Sequence, residues 1–566
     1  MRGIKTARLT LAVVAASFVI AGVALAATGD LSFQACVEDE DSGTEGASCA
    51  DAPGLDGASG VAVSGDGSSV YVASQYPGAT GGAITHFSRN TSTGALTFED
   101  CIEDEDINSE GASCAHAPGL NSVTAITISA DGTSVYAASL FDHAVVHLSR
   151  NTNTGDLTFQ DCIEDEDNDL EGASCADAPG LNFADGVAVS ADGTSVYATS
   201  SSDNAVVGFG RNTSTGSLTF QDCIEDEDTN NEGTSCSNKP GLEGANGIAL
   251  SSDGKSAYVA AGSNRALVHF TRTPSTGALS FEECIEDEDN DFEGASCSNA
   301  PGLSPASNPA VSGDGKSVYV TASGDAAITN FSRDTSTGAL TFQQCVQDED
   351  TGGEGPSCAN APGLEGAFAA TVSGDGLSTY VASQAGSAIV QFNRNTSTGA
   401  LGFQNCIEDE DSNSEGASCP NAPGLEGARR TALSADGTSL YVTGTMDDAV
   451  GQFSRELPPA PSPEPTPSPP EGGGSSDTTP PDTSITDGPK SKTKKKKATF
   501  EFSSTEAGST FECRLDHNLG FSPCTSPQDV MVALGKHTLE VRAKDAAGNV
   551  DPTPAEQSWK VKKKKK

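Results

Sequence analysis

An all-β fold, a seven-bladed β-propeller closed by its N-terminal strand, is predicted by three observations. Seven cysteine pairs begin 65, 61, 61, 61, 61 and 61 residues apart, so one unit of about sixty residues recurs along the chain. Each unit carries four short β signals. The array opens on an unaccompanied fourth strand and closes on a unit that lacks one.

The third unit shows the four signals plainly: GVAVS before the turn Ala191-Asp192-Gly193, then SVYATS, AVVGFGR and, after the turn Asn212 to Gly216, LTFQDC. Four antiparallel strands per unit make one propeller blade. Inner-strand signals fall at Val61, Ile126, Val187, Ile248, Ala310, Ala370 and Ala432, which counts seven blades. The seventh unit stops at Phe453-Ser454-Arg455, and Leu31-Ser32-Phe33-Gln34 supplies its missing strand. Pairing the two ends closes the ring and removes the sheet edges of an open array. One loop, Gln75 to Gly82, is four residues longer than its counterparts and explains the spacing of 65.

The pattern S-x-DG-xx-VYV followed by F-x-R-N-xx-TG-xLTF resembles the seven-bladed propeller family that includes bacterial lactonases and YVTN-repeat proteins. The resemblance covers residues 31–457. It implies the fold and, as a second reading, a hydrolase acting on a lactone or sugar lactone; a fold by itself hosts many functions.

Residues 458–481 form a Pro/Gly/Ser-rich linker. Beyond it, at 482–561, ATFEFSS, STFECRLD, KHTLEVRAKDAAGNVD and QSWKV read as strands of a β-sandwich that resembles bacterial Ig-like modules, with Cys513 and Cys524 clamping a hairpin. A Lys-rich tail follows at 562–566.

Residues 1–27 read as a secretory signal peptide: Arg2, Lys5 and Arg8, an uncharged run from Leu9 to Leu25, and small residues at Ala24, Ala26 and Ala27. No other segment is apolar enough to span a bilayer. The expected location is extracellular, with cell-wall association through the terminal module. Sixteen cysteines in an exported chain imply disulfides. Cys36/Cys49, Cys101/Cys114, Cys162/Cys175, Cys223/Cys236, Cys284/Cys297, Cys345/Cys358 and Cys406/Cys419 each stand thirteen positions apart, and Cys513/Cys524 make an eighth pair. Each loop closes about fourteen residues, a constraint of roughly 3 kcal/mol in the chain-entropy model, so a structural role suffices.

The net charge of -47 is concentrated before Ser475, because the segment after it holds 16 Lys or Arg against 12 Asp or Glu. An acidic body repels phosphates, which argues against nucleic acid as a partner. Lys490, Lys492, Lys494 to Lys497 and Lys562 to Lys566 make the terminal module basic, suited to an anionic cell-wall polymer or surface, or simply solvated.

Between the cysteines of each unit lies an acidic loop, and Ca2+ is the cofactor it suggests. The candidate ligands are Asp39, Asp41 and Glu45; Asp104, Asp106 and Glu110; Asp165, Asp167 and Glu171; Asp226, Asp228 and Glu232; Asp287, Asp289 and Glu293; Asp348, Asp350 and Glu354; Asp409, Asp411 and Glu415. Their spacing is not that of an EF-hand. The plainer reading is a solvated acidic rim that keeps the protein soluble.

A lactone hydrolase needs a base or metal-bound water and an electropositive group in one pocket, so its site must break the repeat. The breaks are Asp142 and His143, Arg265, and above all Arg429 and Arg430, where other units carry small or polar residues. The two arginines either hold a carboxylate or phosphate or offset the acidic loops. His86, His147 and His269 occupy one position in three blades and read as structural. The resulting expectation is an extracellular binding or scaffold propeller, with lactone hydrolysis as the alternative.

Overall fold

The computed structural model describes residues 29–40, 48–75, 81–105, 114–167, 170, 174–228, 235–289, 296–350, 357–411, 419–458 and 479–563, the last range without 507, 516–520, 533, 546 and 548. The signal segment, the centres of the acidic loops, most of the linker and the end of the lysine tail lie outside these residues. The chain divides into two compact units, Met1–Ala460 and Pro461–Lys566.

The first unit is a β-propeller of seven sheets, each with five strands. In the third blade the inner, second, third and outer strands are Ala184–Val189, Ser195–Ser200, Ala205–Arg211 and Leu218–Asp226, paired antiparallel in that order. A fifth strand, Ser237–Lys239, lies outermost and parallel to the outer strand. The sequence reading counted four strands per blade. The fifth is too short to announce itself by alternation; the Cys223–Cys236 bridge, with Cα atoms 4.8 Å apart, folds the chain back at the spacing of neighbouring strands.

The same bridge recurs in every blade. Cys36–Cys49, Cys101–Cys114, Cys162–Cys175, Cys284–Cys297, Cys345–Cys358 and Cys406–Cys419 all form, with Cα atoms 4.7 to 5.0 Å apart. The first cysteine of each pair lies within the outer strand. The second stands outside any strand: Cys49, Cys114, Cys175, Cys297 and Cys358 immediately precede a fifth strand, and Cys419 precedes one by two residues because Pro420 intervenes. All of these second cysteines are buried. Each bridge therefore does more than clamp its acidic loop, since it also sets where the fifth strand begins.

The seventh blade is built from both ends of the unit, with Leu31–Asp39 antiparallel to Ala449–Arg455 and Leu31 opposite Arg455. Its inner strand Ala428–Leu433 packs on Ala58–Val63 of the first blade, closing the ring. Apolar clusters fill the wedges between blades: Tyr136 and Val145 of the second meet Leu181, Val196 and Phe209 of the third, and Tyr441 and Val450 of the seventh meet Leu55 and Val70 of the first.

The recurring S-x-D-G and Arg motifs are the polar part of these junctions. In the fourth blade the Ser251 hydroxyl donates to Asp253 at 2.6 Å, and Gly254 turns the chain with φ 68°. Arg333 of the fifth blade reaches back to that aspartate at 3.2 Å and donates from Nε to the Tyr258 hydroxyl at 2.7 Å. That hydroxyl donates in turn to the Gly338 carbonyl at 2.7 Å. The same Arg–Tyr–Asp latch joins all seven junctions, Arg89 to Tyr441 and Asp436 included.

The second unit holds two sheets around one core. Thr483–Asp487, Lys497–Ser504 and Gln528–Met531 form the smaller; Lys492–Thr493, Ala555–Val561, Gly535–Lys544, Thr510–Leu515 and Ser522–Cys524 form the larger. Phe500 and Phe502 from one sheet pack with Leu539, Val541 and Trp559 from the other. The Cys513–Cys524 bridge ties adjacent strands of one sheet, as the hairpin reading expected. With it, all eight expected disulfides are present, which fits an oxidising compartment. Among the described residues no helix is long and apolar enough to cross a membrane.

Candidate functional site

A seven-fold repeat offers a specific site only where its copies differ, and the second and third residues of the inner strands are such positions. Around the ring the second position reads Ser59, Thr124, Asp185, Asn246, Ser307, Phe368 and Arg429. The third reads Gly60, Ala125, Gly186, Gly247, Asn308, Ala369 and Arg430. By contrast the latch tyrosine is a tyrosine in every blade. A central cavity of about 150 Å³ is lined from all seven inner strands, with Arg430 and Asn308 on its wall.

The two arginines are held by neutral partners. Arg429 Nη1 donates to Gln75 Oε1 at 2.8 Å, and its guanidinium lies 4.6 Å from the centre of the Phe368 ring. Arg430 Nη1 donates to Asn308 Oδ1 at 3.1 Å, and its guanidinium lies 5.7 Å from the same ring. The Nε of each is buried and has no acceptor. Neither forms a salt bridge among the described residues. The opposing charge that acts on both is Asp185. Burial raises the Asp185 pKa against the pull of the two arginines. Burial lowers that of Arg429, and burial together with the Arg429 charge pushes Arg430 down to about 10. A guanidinium is not deprotonated in proteins, so both carry charge at neutral pH. Two adjacent half-buried cations, each with a buried Nε lacking an acceptor, and one carboxylate make a site short of negative charge.

Among the described residues neither arginine forms an ion pair with a carboxylate of the acidic loops. Those loops join the fourth and fifth strands out from the axis, three strand spacings or roughly 14 Å beyond the inner strand. The loop carboxylates also divide by depth. Asp39, Asp104, Asp165, Asp226, Asp287, Asp348 and Asp409 are at most 2% exposed. Each accepts the backbone N–H of a leucine sixteen residues on, as Asp165 does from Leu181 at 2.9 Å. Asp165 Oδ1 also takes the N–H of Asp167 at 3.1 Å. The preceding Glu38, Glu103, Glu164, Glu225, Glu286 and Glu408 are buried as well, a role that the sequence reading missed because strand alternation does not reveal that both faces are covered here. Asp167, Asp228, Asp289, Asp350 and Asp411 are exposed where the turn begins. Asp41, Asp106, Glu45, Glu110, Glu171, Glu232, Glu293, Glu354 and Glu415 lie outside the described residues.

The remaining candidates are not brought to the channel cavity. Asp142 Oδ2 accepts the Asn121 N–H at 2.7 Å, in the turn between second and third strands. His143, left-handed at φ 52°, accepts the Phe183 N–H of the next blade on Nδ1 at 2.8 Å, and burial lowers its pKa. Asn204, Ser387 and Asp448 make the same inter-blade bond from the same position, so His143 serves a shared turn. Arg265 stands at that position too, with φ 55°. His86, His147 and His269 are buried in separate blades, stacked on Tyr71, Tyr136 and Tyr258.

Residues 224–410 match the family model described as "Lactonase, 7-bladed beta-propeller". No curated protein matches the chain. Among solved structures, the periplasmic gluconolactonase of Pseudomonas aeruginosa is 17% identical over 62% of this chain and 84% of its own, with a TM-score of 0.45. A protein of Bacteroides uniformis described as a candidate 6-phosphogluconolactonase is 16% identical over 61% and 83%, with a TM-score of 0.44. Hydrazine synthase of Kuenenia stuttgartiensis is 12% identical over 70% and 95%, also at 0.44. Likenesses of this size carry no functional inference.

Proposed function

We propose that the protein is an exported binding propeller that holds a small anion, carboxylate or phosphate in class, in its central channel. The observation that carries this reading is the paired Arg429 and Arg430, each with a buried Nε lacking an acceptor. An anion would supply the missing acceptors and relieve the repulsion between the guanidiniums. A cavity of about 150 Å³ has room for a group of phosphate or short-carboxylate size, the volume of roughly five waters. Export is supported by the pattern of residues 1–27 and by the eight disulfides.

Titration calorimetry with inorganic phosphate and with malonate is expected to give one site per chain. Arg430→Gln should weaken it at least ten-fold, about 1.4 kcal/mol, with the melting temperature unchanged. Undiminished binding by that variant would remove the reading.

The family-model match favours a second use of the same residues, lactone hydrolysis. Arg429 and Arg430 would stabilise the developing oxyanion, and Asp185, its pKa raised by burial, would act as base. Turnover of a lactone panel, sugar lactones included and EDTA present or absent, separates the two readings; only a hydrolase loses turnover in Arg430→Gln.

Calcium at the loops is a proposal of its own. Its ligands would be the exposed Asp167, Asp228, Asp289, Asp350 and Asp411 with their loop partners. Calorimetry should then show several calcium sites per chain, and EDTA should lower the melting temperature; a flat response in both abandons the ion. The second unit, read as Ig-like, would serve as spacer or anchor. Lys492, Lys560 and Lys536 are exposed and opposite one another on three neighbouring strands, a repulsion that an anionic cell-wall polymer would relieve.

A further inference from the structure

We propose that His86, Asp100 and Asp156 form a divalent-metal site, best matched to zinc, that bridges the first and second blades. Three positions converge at each blade junction: the third-strand residue three before the latch arginine, the outer-strand residue before the first cysteine, and the residue after the turn glycine of the following blade. At successive junctions they read His86-Asp100-Asp156, His147-Asp161-Ser217, Gly208-Asp222-Ala278, His269-Glu283-Ala339, Asn330-Gln344-Ala400, Gln391-Asn405-Asp30 and Gln452-Ala35-Ala95. Only the first combines an imidazole with two carboxylates.

The geometry suits coordination. One ligand atom from each of the three residues lies within 4.8 Å of the others. His86 Nδ1 is 3.2 Å from Asp100 Oδ1, and the two residues face each other across paired strands. Asp156 arrives from the next blade beside Gly155, whose missing Cβ would lie 2.4 Å from His86 Nε2. The imidazole is fully buried and stacked on Tyr71 with ring centres 4.9 Å apart, so its orientation is set before any ion arrives. The carboxylates are more open, Asp100 with a side chain 43% exposed and Asp156 at the surface, which leaves an entry path and room for water on the ion.

An independent observation points to a ligand. With Nδ1 donating to Asp100, Nε2 is the bare nitrogen, and it is buried without a hydrogen-bond partner. A metal on Nδ1 reverses the tautomer and puts the proton on Nε2, as metal-bound histidines carry it. Ser69 Oγ lies against the same face of Gly155 and is the acceptor that proton would meet. In the fourth blade the equivalent serine, Ser256, stands 3.3 Å from His269 Nε2. Metal binding would thus give both nitrogens of the buried imidazole a partner.

Titration calorimetry and cobalt(II) absorption on the whole mature chain test the site. The expected result is one Zn2+ site per chain and a visible cobalt band. Asp156→Ala, which installs the residue of four other junctions, and His86→Asn, which installs that of the fifth blade, should each weaken zinc at least ten-fold and remove the band while leaving the melting temperature of the metal-free protein unchanged. His147→Asn should leave zinc binding intact. Zinc affinity retained in Asp156→Ala, or no zinc bound by the parent chain at millimolar concentration, would overturn the proposal. Arg430→Gln should not alter zinc binding, so this outcome is separate from that of the channel reading.

Discussion

Asp165 and its six equivalents show how a charged residue becomes part of the frame. Its carboxylate accepts the N–H groups of Leu181 and Asp167, and its own N–H donates to the His143 carbonyl at 3.0 Å. Replacing it leaves a buried N–H without an acceptor, which costs about 1–3 kcal/mol. Asp165→Ala should therefore lower stability by that amount in urea melts, whereas Asp167→Ala, at an exposed position, should change it by less than about 0.5 kcal/mol in metal-free buffer. Equal losses from the two substitutions would contradict this division. In the sequence the run Glu164-Asp165-Glu166-Asp167 looks uniform, because a run of carboxylates gives no sign of which ones meet backbone donors from another strand.

At the scale of the element, the disulfide and the fifth strand act together. The bridge closes the acidic loop, and the returning chain pairs in parallel with the outer strand, Ile224 opposite Ser237 and Asp226 opposite Lys239. The four principal strands of each blade are legible because β-branched and aromatic residues alternate between glycine-marked turns. The fifth is not, since three residues such as Ala176–Ala178 carry no period and are held by a covalent constraint at Cys175 and a neighbouring strand. The same limit applies to His143: its departure from the repeat is legible, but its role is not, because the bond it shares in kind with Asn204 and Asp448 crosses to the next blade.

At the scale of the molecule the ring depends on its seven junctions, and their aspartates make it sensitive to acid. Burial pushes Asp66, Asp131, Asp192, Asp253, Asp314, Asp375 and Asp436 upward, yet hydrogen bonds from the turn and the facing arginine outweigh it and hold each below the ordinary value. A carboxyl with a depressed folded-state pKa contributes stability that is present above the unfolded value, near 3.9, and is lost as pH falls through the folded one. Thermal melts should be level near neutrality and fall below about pH 4. Asp192→Asn should be less stable at neutral pH and show a shallower acid decline; an acid slope identical to that of the parent would exclude the latches as its source.

Residue order alone specifies the number of blades, the closure by Leu31–Asp39, the eight disulfides and the inner-strand positions where the copies diverge, Arg429 and Arg430 among them. These are local or periodic properties, read from spacing and alternation. Which divergent residues meet is settled by the folded ring instead. Arg430 reaches Asn308, 122 residues away, because closing the ring gathers the inner strands around one axis. Asp156 reaches His86 because adjacent blades stack face to face. The same closure places the strands that flank the acidic loops at the outer edge of the blades and the arginines near the axis, since sheet order, unlike sequence order, sets distance from the channel.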